Sequence, residues 1–216
     1  MKKIIDLKDL LKHEILDLYS AEEQIIESLP DMIEKANDPK LKEALSNHLE
    51  VSKTHKDRLD KIKETIMSGE DVGESNGFFS SLFGGSNTVT SKGIEGLLKE
   101  AKKMMSEDMT PETMDAAIIG AVQKIEHNEI AGYGTVCAYA SELKLDFVKT
   151  ELEKTLREEY DADDSLTKLA VGQVNPDAEI AIDNDNQENA NDGDYDRLTN
   201  SVSIMSSSDS SEDDEG

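Results

Sequence analysis

The stretch "QKIEHNEIAGYGTVCAYASEL", Gln123–Leu143, decides how this chain is read. It has the character of a helix made for burial, yet Glu126, His127 and Glu129 interrupt its apolar run. Gly132 and Gly134 add residues that weaken helices, and Gly120 stands just before them. A buried helix tolerates paired carboxylates only if something neutralises them, so the rest of the chain must supply the answer.

Three more helical patterns surround that stretch. In "IIDLKDLLKHEILDLYSAEEQIIESLPDMIEKA", residues 4–36, Leu7, Leu11, Leu18, Ile25, Leu29 and Met32 recur at helical spacing. Pro30 falls inside the pattern and predicts a kink. Asp38 as N-cap and Pro39 at the first position open a second helix over 39–67. Its seam, Leu41, Leu45, His48, Ser52, His55, Leu59 and Ile62, is polar in the middle. A Gly- and Ser-rich crossover at 68–93 carries a loose Phe78, Phe79, Leu82, Phe83 cluster, and a short helix over 94–106 follows. Thr110 and Pro111 open the third long helix, 111–143; "KLD" turns the chain into a fourth over about 147–171.

Two helical hairpins joined by a long connection predict an all-α, ferritin-like four-helix bundle, with a short extra helix between helices 2 and 3. The bundle is expected over 1–172, and an acidic disordered tail over 173–216. Scarce aromatics, 4% with no Trp, favour helix-on-helix packing. The net charge is −25, of which residues 176–216 contribute −12. No basic surplus exists to replace phosphate counterions, which disfavours nucleic acid and an anionic membrane surface. The tail's "SSSDSSEDDEG" suits either a solubilising segment or acidophilic-kinase sites. Charges at Asp6, Lys8, Asp9 and Lys12 rule out a signal-peptide core, and no run approaches the roughly 18 apolar residues of a membrane span. A cytoplasmic protein is expected. Cys137 alone excludes an intramolecular disulfide and reads as a buried, inert thiol.

Every long helix places an ionisable group at mid-height on its inner face: Glu22, then His48 and His55, then Glu126 and Glu129, then Glu159. Carboxylates and imidazole are the ligands of non-haem iron and manganese, so a central cation would resolve the burial. The other resolution is that these carboxylates are protonated or paired with groups such as His55. His48 taken alone reads as a hydrogen-bonded core histidine. His127 points away and suits a supporting or inter-subunit role. A hydrolase is poorly supported: there is no Ser-centred elbow, no G-x-x-x-x-G-K loop, and no base for the lone Cys.

The segments "DLYSAEEQIIESLPDMIEKANDPKLKEALSNHLEVSKTHKDRL", "GIEGLLKEA" and "DAAIIGAVQKIEHNEIAGYGTVCAYASEL" resemble the YciE/YciF-type ferritin-like family over about residues 5–171. That bacterial group is linked to stress responses and has no established reaction. The resemblance implies a metal set of Glu22, His55, Glu126, Glu129 and Glu159, holding iron or manganese for oxygen or peroxide chemistry, in a homodimer. It also implies gaps, with the second-helix Glu of a Glu-x-x-His motif falling at Ser52 and the fourth-helix His at Ala162, and Glu50, His48 and Asp163 are the candidate substitutes. A non-enzymatic dimeric stress protein with a vestigial site is the alternative.

Overall fold

A computed structural model describes residues 4–68 and 89–180. The Phe78–Phe83 cluster and the tail from 181 onward lie outside the described residues. The helices are α1 (Leu7–Lys35), α2 (Pro39–Ser68), α3 (Lys92–Met104), α4 (Pro111–Glu142) and α5 (Asp146–Leu169). Among the described residues there is no strand. α1 runs through Pro30 as one helix. The all-α, ferritin-like bundle with an added short helix is what the sequence predicts.

Local chemistry sets each helix boundary. Asp6 accepts from the Asp9 N–H and caps α1. Asp38 accepts from the Lys40 and Leu41 N–H groups at 2.8 and 2.9 Å, as its N-cap reading requires. The carboxylate of buried Asp115, in the first turn region of α4, accepts from Asn37 and Asp38 N–H at 2.6 and 2.8 Å. The α1–α2 turn is thereby fastened to α4. Thr110 caps α4 through the Thr113 N–H, with Pro111 at the first position. At its other end, Leu145 N–H bonds to Ala140 C=O and Lys144 N–H to Ser141 C=O. This is a Schellman motif, and it holds Lys144 at φ 57° where Gly is the usual occupant.

The four long helices form a closed ring, α1–α2–α5–α4, with α3 laid against α1 and α4. The interior has two apolar layers. One gathers Ile25, Leu29, Leu41, Leu45, Ile118 and Val122; the other gathers Leu11, Ile15, Leu59, Ile62, Val136 and Leu152. The sequence positions between these layers hold Glu22, His48, Ser52, His55, Glu126, Glu129 and Glu159, all buried. The core is thus interrupted at mid-height by a polar layer to which every long helix contributes.

Gly132 marks a close approach of α4 to α1. A methyl group there would come within 2.9 Å of Leu18 Cδ2. Gly120 and Gly134 have open space at the same test, so close packing within the chain accounts for Gly132 alone. After α5 the backbone passes through a π-helical turn, Ala170–Val174, and continues helically to residue 180. Ala170 and Val174 are buried, which carries the packed helix past the boundary expected at 172. Among the described residues no helix is long and apolar enough to cross a membrane.

Candidate metal centre

The polar layer holds two ligand groups. The first is Glu22, His55 and Glu159; the second is His48, Glu126, Glu129 and Glu159. Within each, one potential ligand atom per residue lies within 4.8 Å of all the others. Glu159 belongs to both. The five residues expected from the sequence, Glu22, His55, Glu126, Glu129 and Glu159, are thus brought together, each 0–1% exposed.

The contacts inside the layer are close but not mutually satisfying. His55 Nδ1 stands 2.8 Å from Glu159 Oε1 and 3.2 Å from Glu22 Oε1, yet is aligned for a hydrogen bond with neither. His48 Nε2 is 3.1 Å from Glu126 Oε1 in the same unaligned fashion. All four carboxylate oxygens of Glu126 and Glu129 lack a hydrogen-bond partner, as do both oxygens of Glu159 and Oε2 of Glu22. Polar atoms that face one another without bonding are aimed at a shared third point. The separations fit that reading: two ligands at right angles on one ion, each bonded at about 2.1 Å, stand about 3 Å apart. The residues present therefore fit a metal ion.

The outer contacts fit as well. His55 Nε2 lies 2.9 Å from Glu158 Oε2. A carboxylate can only accept, so Nε2 carries the proton and donates. Arg58 holds Glu158 through two parallel contacts, one of 2.8 Å from Nη2 to Oε1, and also donates to Thr155 Oγ1. With Nε2 protonated, the Nδ1 lone pair of neutral His55 faces two carboxylates. Only a cation at that point, a proton or a metal, turns repulsion into attraction. This carboxylate–histidine arrangement is the one that orients imidazole ligands in metal sites. Tyr133, fully buried, donates to Glu22 Oε1 at 2.6 Å and sets its ring edge-on to His55.

Electrostatics tells the same story. Burial, reinforced by the neighbouring carboxylates, pushes Glu126 and Glu129 well above the usual carboxylate range. Burial also disfavours a charged His55, but Glu159 and Glu22 outweigh it and hold the imidazole up at about 10. One imidazolium cannot neutralise four ionised carboxylates, so without a further cation Glu126 and Glu129 are driven toward the protonated form.

His48 stands in the second ligand group beside Glu126, Glu129 and Glu159. Neither of its ring nitrogens makes an aligned hydrogen bond, and Nε2 stands 3.1 Å from Glu126 Oε1. That group has no imidazole at 162. Ser52 is buried with an unpartnered hydroxyl and belongs to neither group. His127 is exposed and donates from Nδ1 to Gln123 C=O, 2.9 Å away, outside both groups. Cys137 is buried, and loss of solvation pushes its thiol up to about 11, as an inert thiol requires.

A family model described as domain of unknown function DUF892 matches residues 6–179. The chain belongs to this family. Protein YciF of Escherichia coli K12 is 34% identical over 173 residues, which is 80% of this chain and 95% of that protein. The solved structure described as the E. coli stress protein YciF superposes with a TM-score of 0.68 at 33% identity, covering 81% of this chain and 99% of that one. A structure from Rhodopseudomonas palustris, described as a putative structural protein YcfI, gives 0.66 at 35%, covering 77% and 96%. The family match, residues 6–179, spans every helix that carries a ligand-type side chain.

Proposed function

We propose that this DUF892 member is a di-metal carboxylate protein that binds iron or manganese in its polar layer and serves oxygen or peroxide chemistry in a stress response. The observation that carries this reading is the set of buried, unpartnered oxygens of Glu126, Glu129 and Glu159 beside His48. Retaining so many anionic groups in a dry interior costs several kcal/mol each unless a cation neutralises them.

Glu22 and His55 would hold one ion, and His48, Glu126 and Glu129 the other, with Glu159 common to both. When bound, such ions would supply the redox equivalents that two-electron reduction of oxygen or peroxide needs. The chain's own residues do the rest. Tyr133 fixes the rotamer of Glu22. Glu158, anchored by Arg58, keeps the proton of His55 on Nε2 and leaves Nδ1 free to ligate. The apolar layers above and below exclude water from the centre. A cytoplasmic homodimer is the proposed setting.

The second reading has its own observation. His55 held at about 10 can serve as the neutralising cation near Glu22 and Glu159, with Glu126 and Glu129 protonated. That describes a non-enzymatic stress protein with a vestigial site. Elemental analysis after anaerobic loading separates the two. The metal reading expects about one to two ions per chain, lost in the Glu126→Ala, Glu129→Ala double variant. Metal-free wild type, or undiminished metal in the variant, would falsify it.

A further inference from the structure

Between α2 and α5 a cleft of about 360 Å³ leads inward from the surface. Leu45, His48 and Val51 line it from α2; Glu158, Asp161 and Ala162 line it from α5. His48 is therefore both a wall of the cleft and a member of the second ligand group. Its imidazole is 93% buried, as its 7% exposure states, and its ring nitrogens have no hydrogen-bond partner. Ala162 stands three residues after Glu159, one turn along the same helix. A side chain with a ligand atom at 162 would occupy the space that the cleft leaves open.

We infer that the α2–α5 cleft admits a small uncharged molecule to the His48–Glu126–Glu129–Glu159 group, with Ala162 and Val51 setting the size that passes. This rests on the metal reading above and gives it a substrate class. The walls at Leu45, Val51 and Ala162 are apolar, the Ser165 hydroxyl is spent on Asp161 C=O, and Asn47 is uncharged, so the lining offers an anion no cationic side chain. Glu158 and Asp161 repel anions, and Arg58, which contacts Glu158, is already committed to it. Dioxygen and hydrogen peroxide meet these conditions of size and charge; a phosphorylated or carboxylated metabolite does not.

The test uses the full chain loaded with cobalt(II), whose visible spectrum reports its ligands, and imidazole at about pH 8 as a small neutral probe. Wild type, Ala162→Phe and Val51→Phe are compared, the two variants filling opposite walls. Elemental analysis should find equal cobalt in all three. Imidazole should shift the wild-type spectrum, and each folded variant should need about tenfold or more imidazole for the same shift. Variants that respond like wild type, or a cobalt-loaded wild type indifferent to imidazole, overturn the inference and leave the metal reading standing. Wild type that takes up no cobalt overturns both. Circular dichroism identifies a variant that fails to fold, and the other then decides.

Discussion

The Tyr133 hydroxyl donates to Glu22 Oε1 across 2.6 Å in an interior that neither residue shares with solvent. Glu22 keeps its second oxygen without a partner. The hydrogen bond therefore orients the carboxylate and leaves one oxygen for the centre. Tyr133→Phe removes this bond without creating a large cavity. It should lower the stability of the metal-free protein by about 1.5–3 kcal/mol, the range for a buried bond to a charged group. Chemical denaturation measures this, and a change within error would show that Glu22 needs no such anchor.

Glu158 and Arg58 act one contact further out. Glu158→Gln keeps the shape but weakens the acceptor for His55 Nε2–H and frees Arg58 from its ion pair. Loss of such a supporting carboxylate costs about 10–100-fold in metal affinity. Competition against a chelator of known affinity reads this directly. Equal affinities for variant and wild type would remove Glu158 from the site.

The metal-free protein should lose stability as pH rises. Glu126 and Glu129 are raised in the folded state above an unfolded carboxyl near about 4.3. Below that value they are protonated in both states and their contribution is fully present. As pH climbs through the raised folded values, the unfolded state releases protons first and the contribution is lost. His55, raised to about 10 from about 6.5, acts in the same direction from neutrality upward. Melts of chelated protein between about pH 5 and 9 should therefore fall, more steeply than for Glu126→Gln, Glu129→Gln. Parallel curves for the two proteins would contradict these assignments.

The glycines of α4 make a separate prediction. Gly120 and Gly134 are helical with open space where a methyl would go, so alanine should stabilise each by up to about 1 kcal/mol. Gly132→Ala meets Leu18 Cδ2 at 2.9 Å and should gain less, because the leucine tip must move. A Gly134→Ala variant that melts lower than wild type, and dissociates a dimer in sedimentation, would place a second chain against that face.

Much of this was legible in the residues themselves. Asp38, Thr110 and Pro111 carry capping chemistry that works over three or four residues, so α2 and α4 begin where the sequence puts them. Inner-face phase is equally local, which is why Glu22, His55, Glu126, Glu129 and Glu159 were found together at mid-height. The end of α5 was not legible: the apolar periodicity ends at about 171, but Ala170 and Val174 pack on the bundle and carry the helix on. The choice of His48 over Glu50 and Asp163 was not legible either, because a ligand group is defined by distances between helices.

The sequence by itself determined four amphipathic helices, their caps, and an ionisable belt on each buried face, since all of these follow from spacing along one chain. Tertiary structure decided which belt residues meet. It set Glu159 between two groups, put His48 where Ala162 supplies no imidazole, turned His55 so that Glu158 holds one nitrogen and leaves the other facing carboxylates, and left the α2–α5 cleft open. Those outcomes depend on how four helices rotate and slide against one another, and packing fixes that only once all four are in place.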